Sequence, residues 1–206
     1  MTTDPLPFDD GHLERLGLLP GGVFEGLLVA VVDGIPRARP MGLHVLEDRS
    51  LHLELHLPSP LVEVMVPGER LVLQLPSYGE IDLLVGLALE IDTRPIRWTE
   101  WHHGGRGHPA IDGLPGLLVD VRSVADIDRC DRYGPATIRR VDLEGIASTL
   151  PGSLWAPVCR AHGHILEAAV LMTRPGQEDL RPHLILARRT APLRLRDLID
   201  SMENII

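Results

Sequence analysis

Residues 23–48, VFEGLLVAVVDGIPRARPMGLHVLED, contain the local signal that decides the fold. Two apolar runs flank Asp33-Gly34, and this dipeptide is among the strongest short-range indications of a β-hairpin turn. The stretch therefore predicts a pair of antiparallel strands joined by a two-residue turn.

The next strand follows at once. In SLHLELHL (50–57), leucines alternate with His52, Glu54 and His56, and this period of two predicts one buried and one exposed face. Segments of comparable pattern predict further strands at 69–75, 117–129 and 135–148. Three segments are less regular: helix-like at 60–66, helix or strand at 81–92, and a loop rich in Gly, His and Pro at 98–116.

After Pro157 the apolar pattern changes from alternating to helical. Helices are predicted at 160–174, at 176–191 and from about Pro192 to the end. Six or more antiparallel strands followed by two or three helices favour a β-meander closed into a small barrel, because closure removes exposed strand edges. We expect three parts, divided at residues 1–22 (a lead-in), 23–150 (a β-barrel domain) and 151–206 (a helical subdomain).

Composition excludes several classes of function. The net charge of −9 and an aromatic content of 3% disfavour nucleic-acid and anionic-membrane binding. All 20 basic residues are arginine, so catalysis by a lysine is excluded. The two cysteines predict reduced thiols. With no signal-peptide pattern and no apolar run of ~20 residues, we expect a cytoplasmic protein.

Familiar catalytic motifs do not occur in the sequence. No serine lies in a G-x-S-x-G motif, and no phosphate-binding glycine motif joins a strand to a helix. Two clusters of potential ligands, WHHGGRGHP (101–109) and RAHGHILE (160–167), lack the spacing of zinc sites. We therefore predict no metal site, and no catalytic residue is identified.

Two stretches are candidate binding sites. In the predicted helix 160–174, Arg160, His164, Glu167 and Arg174 fall along one side, which fits either a structural ion-pair network or anion recognition by the arginines. In PRARPMG (36–42), the arginines could bind the anionic tail of a flat ligand that lies on the Pro-Met-Gly backbone, or could be solvated in an ordinary hairpin.

Together these stretches resemble the DUF447 family, which is related to the FMN-binding split barrels. The resemblance lies in an aromatic-Glu pair, a Pro-Met-Gly motif followed by an apolar residue, and a late helix with Arg, Glu-Ala-Ala-Val and Thr-Arg. The matching residues here are Phe24, Glu25, Pro40 to Leu43, Arg160, Glu167 to Val170, Thr173 and Arg174.

The resemblance implies a split β-barrel of the FMN-binding type with a helical extension, assembled as a homodimer that binds FMN at its interface. The isoalloxazine ring would lie near Met41 and Gly42. The implied cofactor-binding residues are Arg39, Pro40, Met41, Gly42, Ser59, Arg160 and Arg174. The implied function is that of a flavoprotein, with oxidoreductase activity on an unknown substrate.

One stretch departs from the family pattern. Where the family has basic and hydroxyl-bearing residues suited to the FMN phosphate, this chain has LHLPSPLVEVM (55–65), in which Ser59 between two prolines is the only hydroxyl. Either arginines from elsewhere bind the phosphate, or the chain binds no flavin. The alternative function is a flavin-free split-barrel protein that binds another anionic metabolite, such as one of pterin-linked one-carbon metabolism, or that acts as a partner subunit.

Overall fold

A computed structural model describes residues 4–56, 61–91, 94–131, 134–153, 155–172 and 180–204. It contains nine strands: β1 (Leu6–Pro7), β2 (Val23–Val32), β3 (Ile35–Val45), β4 (Leu51–His56), β5 (Arg70–Gln74), β6 (Trp98–His103), β7 (Arg106–Ile111), β8 (Gly116–Asp131) and β9 (Gly134–Thr149). The five α-helices are α1 (Asp10–Arg15), α2 (Ile81–Leu89), α3 (Arg160–Met172), α4 (Arg181–Thr190) and α5 (Arg196–Glu203).

Six of these strands close into a barrel. Their hydrogen-bonded order is β9-β4-β3-β2-β5-β8, and β8 pairs with β9 to complete the ring. All of these pairings are antiparallel, and β1 pairs with β9 outside the ring. The fold class expected from the sequence, a mainly β barrel followed by C-terminal helices, is confirmed.

The predicted hairpin turn joins β2 to β3. Asp33 and Gly34 have φ angles of 53° and 75°, as a turn with two left-handed residues requires. The turn fixes the register, so that Glu25 lies opposite Gly42 and Val23 opposite His44. This register determines which side chains of the two strands can meet.

Strand alternation divides the buried residues into two clusters. Leucines and valines from all six barrel strands form one cluster, which fills the barrel interior and continues into the C-terminal helices. The other cluster covers part of the outer barrel surface, where Leu27, Val29 and Val72 pack against residues of α2, β6 and β7. On β3 and β4 the interior residues are odd-numbered, so Gly42, His44, His52 and Glu54 belong to the outer face.

The segment 98–116 differs from its prediction. It is not a loop but the hairpin β6–β7, with Gly104 and Gly105 at φ 59° and 76° in the turn. The high Gly, His and Pro content concealed the alternation that buries Trp101, His108 and Ala110.

Two shorter segments, whose sequence pattern was ambiguous or only helix-like, contain short helices. The ambiguous segment 81–92 contains α2, preceded by a capping box between Ser77 and Glu80. The helix-like segment 60–66 contains a single 3₁₀ turn at Val62–Val64. No helix in the described part of the chain has both the length and the apolar character needed to cross a membrane.

Candidate functional site

Four of the seven residues implied by the resemblance lie on β3. Met41 is only 8% exposed and packs in the barrel interior, whereas Gly42 belongs to the outer face. Pro40 is half-buried between Arg39 and Met41. Ser59 and Arg174 lie outside the described residues, as does the side chain of Glu167.

The fifth described residue, Arg160, lies directly over Gly42. A Cβ atom added to Gly42 would be 2.8 Å from Nη2 of Arg160 and 3.0 Å from its Cζ, so the guanidinium lies close against the β3 backbone. The same guanidinium donates hydrogen bonds from Nε to Oε1 of Glu25 at 2.5 Å and from Nη2 to Oε2 at 3.3 Å. Three parts of the family-like pattern therefore meet at one place.

A backbone contact fixes the position at which the helix that carries Arg160 begins. Phe24 and Cys159 form an isolated antiparallel bridge, and Glu25 N donates to Val158 O at 2.8 Å. Helix α3 begins at the next residue, and this position projects Arg160 across the outer face of β2 and β3. The ion pair is partly exposed, with 43% of the Arg160 side chain and 24% of the Glu25 side chain accessible to solvent.

The remaining β3 residue, Arg39, borders a separate cleft. This cleft, which we call the arginine cleft, has a volume of about 430 Å³. It lies between the start of β3, α2 and the segment before β6. Its described lining residues are Pro36, Arg37, Ala38, Arg39, Leu83, Gly86, Leu87, Glu90, Ile91, Arg94, Pro95, Ile96 and Trp98.

The three arginines of the cleft differ in how firmly they are held. Arg39 donates to the Leu87 carbonyl at 3.1 Å and to Glu90 Oε1 at 2.5 Å, so it is fixed to the C-terminal end of α2. Nη1 of Arg94 lies 3.8 Å from Oδ1 of Asp82. Arg37 is exposed and has no ion-pair partner within the described residues. Glu90 is the only acidic residue among the described lining, so arginines outnumber carboxylates there.

Apolar side chains form the rest of the cleft wall. Leu83 is buried at the base, Leu87 and Ile96 are half-buried, and Trp98 is 40% exposed at the rim. An apolar wall bordered by guanidinium groups suits a planar ligand with an anionic group. The sequence pattern did not indicate Arg94 and Trp98, although the alternation of β6 and β7 on either side of Gly104-Gly105 was an available hairpin signal.

Several described histidines of the two sequence clusters contact other residues. Nδ1 of His162 lies 2.9 Å from the Tyr78 hydroxyl, and the His164 ring packs against His183 at 5.7 Å. His108 is buried on β7, and desolvation, followed by the charges of Arg70 and others, lowers the pKa of its imidazole. The buried Nε2 atom of His108 has no hydrogen-bond partner within the described residues.

Comparison with known proteins finds similarity only among solved structures. No family model matches the sequence, and no curated protein matches it. The flavin reductase of styrene monooxygenase from Pseudomonas putida S12 is 14% identical, with 69% of this chain and 88% of that chain aligned and a TM-score of 0.46. Flavoredoxin from Methanosarcina acetivorans is 13% identical over 63% and 69% of the two chains, with a TM-score of 0.44.

An FMN-binding protein from Thermus thermophilus is 14% identical over 65% of this chain and 74% of that chain, with a TM-score of 0.45. The chain forms a closed antiparallel β-barrel with a helical extension, and flavin reductases and FMN-binding proteins are similar to it in fold.

Proposed function

We propose that the protein is a split-barrel flavoprotein, a member of the DUF447 family, that binds FMN in the arginine cleft. The observation that carries the proposal is the composition of this cleft, in which Arg37, Arg39 and Arg94 border an apolar wall. Bound FMN would supply hydride or electron transfer, so the proposed activity is oxidoreduction of an unknown substrate.

The cleft meets the two requirements of FMN. A phosphate dianion is best bound by guanidinium groups, whose paired N–H donors match its oxygens. Arg37 is available for this contact, and Arg39 is already held in place by α2. The flat ring system requires an apolar surface, which Leu87, Ile96 and Trp98 provide. A volume of about 430 Å³ lies within the range typical of small-molecule sites, about 300–1,000 Å³.

The cleft also explains how the chain could dispense with the usual phosphate-binding stretch. Residues 55–65 contain no arginine, whereas the start of β3 contains two. In this proposal Arg37 and Arg39 bind the phosphate, and the family-like Pro40 to Gly42 segment continues from them along the same strand. Five residues of strand separate Arg37 from Gly42, a distance of about 17 Å.

A second candidate function is binding of a different anionic metabolite, such as a pterin, without flavin. The Arg160 guanidinium favours this alternative, because it lies over Gly42, where the family resemblance places the flavin ring. A ring could reach the Gly42 backbone only if the guanidinium moved. A role as a partner subunit belongs to this same flavin-free alternative.

Titration of the purified chain with FMN tests the proposal. Binding should quench flavin fluorescence, and Arg37→Gln should raise the Kd about tenfold or more, since a hydrogen bond to a charged group contributes about 1.5–3 kcal/mol. Arg37 is preferred to Arg39 because its removal breaks no ion pair within the described structure. Arg189→Gln, an equal charge change at an exposed position of α4, is the matched control and should leave the Kd unchanged.

The titration separates the two candidate functions. A wild-type chain that neither carries nor takes up FMN, but binds an anionic pterin with the same dependence on Arg37, supports the second candidate. Flavin binding that is equally sensitive to Arg37→Gln and Arg189→Gln would refute the arginine cleft as the site.

A homodimer is also proposed, and an exposed apolar stripe on α2 supports it. Ile81, Val85 and Leu89 are 47%, 45% and 64% exposed and lie one helical turn apart. The opposite side of α2 lines the arginine cleft, so this stripe is separate from the proposed FMN site. Sedimentation equilibrium should show a dimer that Leu89→Glu dissociates; a monomeric wild-type chain would refute this assembly. The expected cytoplasmic location stays a prediction.

A further inference from the structure

Two histidines and a glutamate form a compact group on the outer face of the barrel, apart from the arginine cleft. His52 and Glu54 are two residues apart on β4, so their side chains leave the same face of the strand. His44 on β3 lies directly opposite His52 in the β3–β4 register. We call these three residues the His-His-Glu group.

The distances within the group are close to those of a ligand set. One nitrogen or carboxylate oxygen from each residue lies within 4.8 Å of the other two. Nε2 of His44 is 3.9 Å from Oε2 of Glu54, and Nε2 of His52 is 3.8 Å from Oε1 of the same carboxylate. The imidazole rings stack with centroids 4.3 Å apart and planes inclined by 14°.

The group is unusually enclosed for polar residues on an outer barrel surface. The side chains of His52, Glu54 and His44 are 7%, 17% and 26% exposed. Both strands lie inside the sheet, since β3 pairs with β2 and β4 pairs with β9, so the Cα positions of all three residues are fixed by hydrogen bonds on both sides.

We propose that the His-His-Glu group binds a divalent transition-metal ion of the Zn²⁺ class. Two imidazoles and one carboxylate are a ligand set that Zn²⁺ accepts, with metal–ligand distances of about 2.0–2.2 Å. Tetrahedral bonds of that length place ligand atoms about 3.4 Å apart. The separations of 3.8 and 3.9 Å involve the two different oxygens of Glu54, and one ligand atom from each residue lies within 4.8 Å of the others. Binding of one ion therefore requires the three side chains to move closer together and the two stacked rings to tilt towards each other.

One acidic and one basic residue of β9 lie opposite the group, and they form an ion pair with each other. Asp142 on β9 lies opposite His52, and Arg140 lies opposite Glu54. The Asp142 position beside His52 is one that carboxylates occupy at many metal-bound histidines.

Three protein ligands leave one tetrahedral position open. Structural zinc sites generally have four protein ligands, whereas sites that bind water or an exogenous ligand have three. The metal is therefore expected to carry a water molecule or a small anion, and to be removable by chelators.

Metal titration of the tag-free full-length chain, after treatment with a chelator, tests the site. Isothermal titration with Zn²⁺ should give one ion per chain, and Co²⁺ should give the visible absorption of a low-coordinate nitrogen and oxygen site. Glu54→Gln and His44→Asn should each weaken Zn²⁺ binding by about tenfold or more, with the fold checked by circular dichroism. Two independent variants keep the test decisive if one of them fails to fold.

The chain contains a matched control for the glutamate. Glu100 and His102 on β6 have the same two-residue spacing, with 3.6 Å between Oε2 and Nε2, but both are largely exposed. Glu100→Gln should leave the affinity for Zn²⁺ unchanged. Absence of a stoichiometric site in the wild-type chain, or equal effects of Glu54→Gln and Glu100→Gln, would overturn the proposal. FMN binding tests a different surface, so either proposal can fail without the other.

Discussion

Replacing Gly42 with alanine is the most direct test of why β3 has a glycine at its contact with α3. The new Cβ would lie 2.8 Å from Nη2 of Arg160 and 3.0 Å from its Cζ, closer than real Cβ atoms approach. The obstacle is the far end of a flexible side chain. We therefore expect the guanidinium to move away from the strand and to give up its hydrogen bonds with Glu25, while the strand itself stays in place.

The expected change in the free energy of unfolding is small because two contributions oppose each other. The Arg160–Glu25 pair is partly exposed, and such pairs contribute about 0.2–1 kcal/mol. A glycine-to-alanine change at a backbone conformation that alanine accepts stabilises by about 0.4–1 kcal/mol, through the unfolded state. Gly42→Ala should therefore change stability by less than about 1 kcal/mol in either direction.

Urea denaturation of a double-mutant cycle measures both parts of this reasoning. Glu25→Gln, Arg160→Gln and their combination give the coupling energy between the two side chains. The same three variants are then made in the Gly42→Ala background, where the coupling should fall to the level of error. Equilibrium midpoints at unchanged m-values are the required readout.

Two outcomes would refute the reasoning. A loss of more than about 2 kcal/mol would mean that the strand, not the arginine, is displaced. An undiminished coupling energy would mean that the guanidinium has room for a Cβ atom. Gly116→Ala is the contrasting control: a Cβ there meets the β5 backbone at Leu73 and Gln74, which cannot rotate away, so a loss of about 2 kcal/mol or more is expected.

Two further predictions concern the outer barrel surface. Gln74 is fully buried; its Nε2 donates to the carbonyls of Ile111 and Leu114, and its Oε1 accepts from Ile111 N. Gln74→Leu should therefore lower the free energy of unfolding by about 2 kcal/mol or more, measured by urea denaturation. An unchanged midpoint would contradict this. The hydrogen bond from Arg70 lowers the pKa of Asp120. The stability that this interaction contributes is fully present at a pH above 3.8, the pKa of the unfolded carboxyl, and it is lost as the pH falls through the lower pKa of the folded state. Asp120→Asn should therefore flatten the acid limb of a stability–pH curve, and an unaltered limb would rule out this role.

The arginine cleft and the His-His-Glu group lie on surfaces produced by the same barrel. Both include β3, but the cleft involves its first residues, whereas the group involves His44 near its last. The Arg160–Glu25 pair lies over Gly42, between these two positions. The first and the last residues of this strand are therefore the parts of the molecule on which functional experiments should concentrate.

Several elements could be predicted because their signals are local. The Asp33-Gly34 turn and the alternating leucines of β4 determine strand position and facing without any distant contact. Helix α2 also had a local signal, the Ser77–Glu80 capping box, but its uniformly apolar sequence obscured the helical period. For the β6–β7 hairpin, the high Gly, His and Pro content favoured the prediction of a loop, although Gly104-Gly105 is a valid turn signal.

The candidate sites were less predictable than the strands. The sequence indicated Arg160 and Gly42 as candidate binding residues, but not that the side chain of one covers the other. Arg94 and Trp98 join Arg37 and Arg39 only through the packing of α2 against β3. His44 and His52 were assigned to different strands, and their contact depends on the exact β3–β4 register.

The sequence by itself determined the six barrel strands, the first hairpin, the helical C-terminal end and the absence of lysine chemistry, because these depend on neighbouring residues and on composition. Only the tertiary structure decided which distant residues meet. Glu25 and Arg160 are 135 residues apart in sequence, and their hydrogen bonds exist because the chain returns α3 to the outer face of β2. Likewise, closure of β8 on β9 and the register of β3 with β4 place two imidazoles beside one carboxylate. Such meetings depend on register and long-range packing, which local propensity does not encode.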